Sequence, residues 1–146
     1  MIIKLEQNEI QEEIEVRVRY KETTKELIAL KEMLNMFDSK VKCKNQNQAF
    51  WLKASEIFYI ESVDKRTFIY DEHNVYESFE RLYQLEKELP KKAFVRVSKA
   101  CIVNIGKLKS IRTLVNSRLE ATLINEEKIT VTRKYIADIR RKLEDR

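Results

Sequence analysis

Apolar and charged side chains alternate without a break over residues 13–20. On an extended chain Ile14, Val16, Val18 and Tyr20 would share one face, and the charged residues between them would share the other. This period of two predicts a half-buried β-strand.

A helical pattern follows the predicted strand. Thr23, with Glu26 three residues later, matches a capping box, in which a hydroxyl and a carboxylate satisfy exposed amides of the first helical turn. Apolar residues then recur at helical spacing, at Leu27, Leu30, Met33, Leu34 and Phe37. We therefore expect an amphipathic helix from about Thr24 to Phe37, ending near residues 38–39.

From Lys40 onwards the period of two returns, and it predicts a series of short strands. They cover residues 40–44, 49–53, 57–60, 67–70, 74–77, 94–98, 111–115, 119–124 and 128–132. One short helix fits residues 79–89, where Pro90 stops it. A closing helix fits residues 133–143, with Ile136, Ile139 and Leu143 facing inward and Arg140, Arg141 and Lys142 largely outward.

These elements predict an α+β fold that is mainly β. The change of period near residue 38 divides the chain into an N-terminal strand–helix extension, residues 1–38, and a second domain, residues 39–146. The apolar face of its helix must be buried, either on its own domain or on a partner. We therefore expect the extension to serve dimerisation or regulation.

Charge is distributed unevenly between these parts. Residues 1–90 hold 14 Lys or Arg and 18 Asp or Glu, a balance of −4, whereas residues 91–146 hold 15 and 6, a balance of +9. This asymmetry indicates a surface in the second half that faces a polyanion. The alternative interpretation is a solvated basic face without a partner.

Composition argues against several other functions. With one Gly in 146 residues, no glycine-rich phosphate loop is available. His73 has no second His and no Cys near it, so neither a metal site nor a histidine-based catalytic group is expected. We expect a protein that is not an enzyme and that uses no cofactor and no small-molecule substrate.

The chain has no apolar run of membrane-spanning length and no signal-peptide pattern, so a cytoplasmic location is expected. Cys43 and Cys101 lie far apart and belong to no paired motif, which predicts reduced thiols. A redox role for Cys101 is the weaker alternative.

Residues 94–104 carry the clearest candidate chemistry. Arg96, Ser98 and Lys99 share a β-like run with apolar residues, an arrangement that can hold positive charge against a phosphate backbone. In the same run we expect Asn104 to bond the local backbone.

Four aromatic residues, Trp51, Tyr59, Tyr70 and Tyr76, alternate with polar residues in the predicted strands. We interpret them as cross-strand packing pairs. Stacking on single-stranded nucleic acid is the alternative.

Residues 40–143 resemble a LytTR DNA-binding domain, the output module of many bacterial response regulators. The resemblance rests on three features in order: residues 57–62 followed by a basic turn, a short helix leading into residues 94–104, and a strand running into the last helix at residues 129–135. It implies a fold of short antiparallel sheets. It also implies a sequence-specific regulator of transcription that inserts loop side chains into the major groove of double-stranded DNA.

By this resemblance, DNA contacts come from three places. They are the turn at Lys65, Arg66 and Thr67, the segment at Arg96, Ser98 and Lys99, and the start of the last helix at Arg133 and Lys134. Arginine suits base reading because its fork matches the two acceptors of guanine, whereas lysine suits phosphate.

The chain also departs from the family pattern. Many members carry His, Arg and Ser where this chain has Ser98, Lys99 and Ala100, so no operator preference can be transferred. Residues 1–38 are too short for a phosphoacceptor receiver domain. The sequence is therefore interpreted as a stand-alone regulator that is controlled by something other than aspartyl phosphorylation.

Two accounts of function remain open. In the first, the protein is a DNA-binding regulator that acts as a homodimer on a direct or inverted repeat. In the second, it is a protein-interaction module or anti-regulator that uses the N-terminal strand and helix and does not touch DNA. Similar stand-alone regulators are often paired with a small membrane-protein antagonist, and residues 1–38 would be its natural docking element.

Overall fold

The computed structural model describes residues 1–144. Residues 145 and 146, at the end of the expected second domain, lie outside them. The helices of the described part are α1 (Lys25–Asp38), α2 (Leu82–Glu88) and α3 (Arg133–Glu144). The strands are β1 (Lys40–Asn45), β2 (Gln48–Lys53), β3 (Tyr59–Val63), β4 (Arg66–Tyr70), β5 (Val75–Ser78), β6 (Phe94–Ser98), β7 (Cys101–Asn104), β8 (Leu108–Leu114), β9 (Arg118–Leu123) and β10 (Lys128–Val131).

The strands form two antiparallel sheets. The larger has seven strands in the order β2-β1-β5-β4-β3-β7-β6, and the smaller has three in the order β10-β9-β8. The predicted α+β class, mainly β with short antiparallel sheets, a short internal helix and a C-terminal helix, is confirmed.

The seven-stranded sheet separates two hydrophobic cores. On one face Ile60, Ile69 and Ile102 pack with Leu82 and Leu85 of α2. On the other face the buried side chains of β6 and β7 pack against the smaller sheet and α3, in a cluster that includes Val97, Val103, Leu119, Val131 and Ile139. Each fully buried aliphatic side chain stabilises the fold by roughly 1.5–3 kcal/mol. The two cores thus cover both faces of the part of the sheet that contains β3, β7 and β6.

Helix α3 is attached to the sheet by a lysine as well as by its apolar side. Lys142 donates through Nζ to the carbonyl of Phe94 at 2.8 Å and to that of Lys91. Burial lowers the pKa of Lys142. The expectation that Lys142 lies largely outward is therefore wrong, because its ammonium group bonds the chain at the start of β6.

The N-terminal strand predicted at residues 13–20 is not formed. That segment has neither helical nor strand structure and is exposed throughout. Ile14 is 89% exposed and Tyr20 is 63% exposed. The prediction fails because a strand needs a neighbouring strand to satisfy its backbone groups, and no strand in the described part of the chain lies beside this segment.

Helix α1 is present, and its cap differs from the predicted capping box. The hydroxyl of Thr24, not that of Thr23, accepts a hydrogen bond from the amide of Leu27 at 3.2 Å. Near its end the helix meets the domain, where Met36 packs against the first core. Ser39 then accepts a hydrogen bond from the amide of Ala54 at 2.8 Å. The division into an extension and a domain at residue 38 stays a prediction.

Candidate nucleic-acid interface

A two-residue turn joins β3 to β4. Its residues Asp64 and Lys65 have positive φ angles of 50° and 66°. A tight hairpin turn whose twist matches that of its strands requires positive φ at both central residues, and Gly or Asn is usual there. Lys65 takes this conformation without being either, and it is exposed at the tip.

A second hairpin turn, at Lys99 and Ala100, joins β6 to β7. The sequence pattern predicted one β-like run over residues 94–104 and gave no sign of β7 as a separate strand. The amide of Ala100 donates to Oγ of Ser98 at 3.3 Å, and a bulge interrupts the pairing between Arg96 and Ser98. The turn places the side chain of Lys99 in solvent.

Arg96 braces this second turn from inside. Its Nε donates to the carbonyl of Ser98 at 2.9 Å, its Nη2 donates to the carbonyl of Lys99, and its Nη1 donates to Oε2 of Glu86 on α2 at 2.5 Å. The side chain is 21% exposed. Because all three guanidinium nitrogens are engaged, Arg96 shapes the turn and has little capacity left to grip a base.

The two turns lie at the same end of the sheet. Strand β3 pairs with both β4 and β7, and the amide of Ser62 donates to the carbonyl of Ala100 at 2.8 Å. Between the turns is an open hollow of about 210 Å³, here called the basic hollow. Its lining is Ser62, Lys65, Thr67, Arg81, Leu82, Tyr83, Arg96 and Lys99.

The start of α3 lies beside the second turn. The amide of Thr132 donates to the carbonyl of Val97 at 3.0 Å, which fixes the first turn of the helix next to the end of β6. Arg133 and Lys134 are both exposed. The Nζ of Lys134 lies 5.6 Å from the ring centre of Tyr135, within range of a cation–π contact.

The remaining residues predicted to contact DNA are less accessible, because they are paired, buried or turned away from the basic hollow. Arg66 is exposed, but Nε and Nη2 donate to the two carboxylate oxygens of Glu77 at 3.0 and 2.8 Å. Thr67 is 5% exposed and faces the floor of the basic hollow. Ser98 lines a different hollow, with Tyr59 and residues of β10. The structure therefore brings Lys65, Arg96 and Lys99 together and turns Arg66 and Ser98 away from them.

Arg81 is a candidate that sequence reasoning missed. It directly precedes α2, is exposed, and contributes a further positive side chain to the basic hollow. Its only sequence signal is a cation at the start of a helix. Its proximity to Lys65 and Lys99 depends on packing between elements that are distant in sequence.

The structure tests the backbone role predicted for Asn104 and the packing predicted for the tyrosines. Asn104 is 1% exposed, donates to the carbonyl of Ile57 at 2.8 Å, and accepts from the amide of Gly106 at 2.9 Å, which confirms its local backbone role. Tyr59 and Tyr70 stack with ring centres 4.2 Å apart. Tyr76 meets Phe50 edge to face at 5.4 Å. These contacts confirm packing for the three tyrosines.

Trp51 is different, because it is 61% exposed. Its cross-strand contact is with a lysine and not with another apolar side chain. It lies on edge strand β2, opposite Lys42, whose Nζ is 5.7 Å from the indole ring centre.

The two cysteines are buried thiols. Burial raises the pKa of Cys43 to about 11 and that of Cys101 to about 12. The reactive species of a cysteine is the thiolate, so neither residue is primed for redox chemistry at neutral pH.

Within residues 1–144 no group of three or more His, Cys, Asp or Glu is placed to hold a metal ion. None of the helices described there is both long and apolar enough to cross a membrane.

Comparison with known proteins places this geometry in a family. The family model for the LytTr DNA-binding domain matches residues 47–144. The sensory transduction protein LytT of Enterococcus faecalis is 31% identical over 94 residues, which cover 64% of this chain and 39% of that protein. The sensory transduction protein LytR of Staphylococcus epidermidis is 34% identical over 68 residues, which cover 47% of this chain and 27% of that protein.

One solved structure is also similar to this chain. It is the LytTr DNA-binding domain of a protein described as a methyl-accepting/DNA response regulator from Bacillus cereus. The fold matches with a TM-score of 0.69 and 27% identity, over 73% of this chain and 97% of that one. The chain spans about two fifths or less of the length of the LytT and LytR relatives. It belongs to the LytTR DNA-binding domain family.

Proposed function

We propose that this protein is a transcriptional regulator that binds double-stranded DNA in a sequence-specific manner. The β3–β4 turn, the β6–β7 turn and the start of α3 would enter or flank the major groove. The observation that carries the proposal is the basic hollow, where the exposed cations Lys65, Arg81 and Lys99 surround one concave surface. Arg133 and Lys134 begin a helix at the same end of β6.

The structure supports a division of roles among these residues. Lys65, Arg81 and Lys99 form no ion pair with a carboxylate in the described part of the chain, and lysine suits phosphate as a point charge. Arg133 is our candidate for reading a base, because it is exposed and its guanidinium group forms no ion pair with another described residue. Arg96 positions the second turn, and Arg66 becomes available only when its pair with Glu77 opens.

We also propose that the protein acts as a homodimer on a direct or inverted repeat. Support comes from the N-terminal region, which leaves Ile14, Val16 and Tyr20 exposed along with Met33 and Phe37 of α1. Apolar side chains gathered on one exposed segment favour burial against a partner.

The same exposed surface supports a second candidate function, a protein-interaction module or anti-regulator. A small membrane-protein antagonist would belong to this account, because residues 13–20 are exposed and would be free to dock. The two accounts differ in salt dependence. Phosphate binding weakens steeply as salt rises, whereas addition of a strand at a sheet edge does not depend on phosphate contacts.

The test is binding of the full chain to a pool of fluorescent random-sequence duplexes at several salt concentrations. Lys65→Ala and Lys99→Ala are each expected to weaken binding and to lower the salt slope by about 1. Lys31→Ala, an exposed lysine on α1, is the matched control and should change neither quantity. Equal effects of all three substitutions would contradict the proposed surface.

A further inference from the structure

The exposed N-terminal segment at residues 13–20 carries an ordered pattern of charge. Its odd positions read Glu, Glu, Arg, Arg, and its even positions read Ile, Val, Val, Tyr. The carboxylate of Glu15 accepts a hydrogen bond from Nη2 of Arg17 at 2.9 Å. Charged side chains two residues apart are thus already on the same side of the chain.

This pattern is self-complementary when the segment is reversed about Val16. If two copies lie antiparallel with Val16 opposite Val16, Glu13 faces Arg19 and Glu15 faces Arg17. Each of these pairs occurs twice, so four opposite-charge pairs form and no like charges meet. Opposite-charge pairs across antiparallel strands are stabilising, and like charges directly opposite are destabilising.

Other registers lack this match. A shift by two residues places either Arg17 opposite Arg17 or Glu15 opposite Glu15. Parallel pairing in register places every charge opposite its own kind. A shift by one residue moves the apolar set of one strand to the face opposite that of the other. The charge order therefore selects one arrangement.

Helix α1 provides the apolar surface that such a ribbon needs. The antiparallel register puts Ile14 opposite Val18 on one face, with the two Val16 side chains at the centre. A two-stranded ribbon alone is at best marginally stable in water, so this face must be covered. Only four residues separate Tyr20 from α1, where Met33 and Phe37, one turn apart on the same face, are 69% and 57% exposed.

We propose that the occupant of this surface is a second copy of the chain. Residues 13–20 of two molecules pair as an antiparallel ribbon centred on Val16, and the two α1 helices cover its apolar face. The proposal specifies the interface of the homodimer invoked in the proposed function and rests on it. It also accounts for the unformed strand, because the missing neighbour is supplied by the partner.

Charge reversal tests the pairing without DNA. The first variant is Arg17→Glu with Arg19→Glu, and the second is Glu13→Arg with Glu15→Arg. Each alone brings four like-charge pairs together and is expected to dimerise at least about tenfold more weakly than the unchanged protein in sedimentation. An equimolar mixture should recover dimers, because its strands again meet opposite charges. A monomeric unchanged protein, unweakened single variants or a mixture that stays monomeric would overturn the proposal.

Cysteine cross-linking tests the register. Paired residues on antiparallel strands have Cα atoms about 4.5–5.5 Å apart, within the range a disulfide spans. Val16→Cys should therefore give a covalent dimer on mild oxidation with diamide. Ile14→Cys should give little covalent dimer, because the two introduced thiols would lie four residues apart along the ribbon. The unchanged protein should also give little, because its Cys43 and Cys101 are buried. Equal cross-linking of the two variants would reject this register, and pairing of the segment with its own sheet edge would give no covalent dimer.

These assays contain no DNA, so their failure would leave the proposed DNA-binding surface untouched. Conversely, a covalent Val16→Cys dimer that bound no DNA would remove the proposed function and keep the interface.

Discussion

Arg66 and Glu77 form a two-point ion pair across neighbouring strands β4 and β5, with N···O distances of 3.0 and 2.8 Å. The Arg66 guanidinium lowers the pKa of the Glu77 carboxyl. One of the arginines expected to read DNA is therefore held by an acidic side chain in the free protein. If Arg66 contacts DNA as proposed, Glu77 competes with the DNA for its guanidinium group.

Glu77→Gln is expected to strengthen DNA binding several-fold, because it removes a negative charge beside the interface and releases the fork of Arg66. The gain should be largest at low salt, where phosphate contacts are strongest. Fluorescence anisotropy with labelled duplex measures it. Glu120→Gln is the matched control, since Glu120 pairs with Arg112 at 3.0 Å in the smaller sheet. Unchanged or weaker binding by Glu77→Gln would show that Arg66 has no part in DNA contact.

Replacing Arg133 and replacing Lys134 should affect DNA binding in different ways. Arg133→Ala is expected to weaken binding to the specific site by about 1–3 kcal/mol and to relax the preference at one base position. Lys134→Ala should weaken all sequences about equally and lower the salt slope by about 1. Binding to a panel of single-base variants of the selected site separates the two. A Lys134 effect confined to one position would reverse the assignment.

Lys65 combines backbone strain with a proposed contact, so replacing it should change stability and affinity in opposite directions. A non-glycine residue in the left-handed region costs about 1–2 kcal/mol, while the extra freedom of glycine costs about 0.5–1 kcal/mol. Lys65→Gly should then raise the unfolding free energy by about 0.5–1 kcal/mol, as measured in urea, and weaken DNA binding.

The control is Ser117→Gly, which relieves a φ of 56° in the β8–β9 turn. It should stabilise the protein similarly and leave DNA affinity unchanged. A loss of stability in Lys65→Gly would show that the lysine side chain has a structural role at its turn.

Arg96 and Lys99 are neighbours in the basic hollow with different expected roles. Arg96→Ala removes three hydrogen bonds, of which the one to Ser98 is partly buried, and should lower the unfolding free energy on the order of 1–2 kcal/mol, with DNA affinity falling as the turn loosens. Arg96→Lys should not restore stability, because an ammonium group cannot reproduce the planar fork. Lys99→Ala should weaken DNA binding at unchanged stability. A fully stable Arg96→Ala variant would contradict the bracing role.

Stability should fall at alkaline pH. An unfolded thiol loses its proton near its ordinary pKa of 9.0, whereas Cys101 keeps its proton in the folded protein up to about 12. Between these values the folded state holds more protons, so the unfolding free energy decreases as pH rises through this window. Urea titrations from about pH 8 to about pH 11 should show a shallower decrease for Cys101→Ala. Equal slopes would mean that Cys101 is not protected from ionisation.

Local patterns predicted the elements whose partners are close in sequence. The β1–β2 and β9–β10 hairpins need only alternation and a polar turn, and the inward side of α3 follows from the spacing of Ile136, Ile139 and Leu143. Each of these depends on residues within one segment.

The errors arose where a distant contact decides the outcome. The turn at Lys99 has no Gly or Pro signal, and it is held by Arg96 through Glu86 on α2. Thr67 lies in an exposed-looking basic turn, yet pairing with Ser62 on β3 turns its side chain to the interior. Arg81 reaches the basic hollow only after α2 has packed. The three expected contact places came from the family resemblance and stay predictions, and tertiary contacts determine which of their side chains are exposed.

The most direct test of the central claim is a selection from random-sequence duplexes with the purified full chain at low and at higher salt. The account predicts enrichment of one short site, occurring as a repeat and persisting at higher salt. It also predicts loss of that enrichment in the combined Lys65→Ala, Lys99→Ala and Arg133→Ala variant. Binding that weakens with salt and enriches no sequence would contradict sequence-specific recognition and reduce the basic hollow to a non-specific cationic surface.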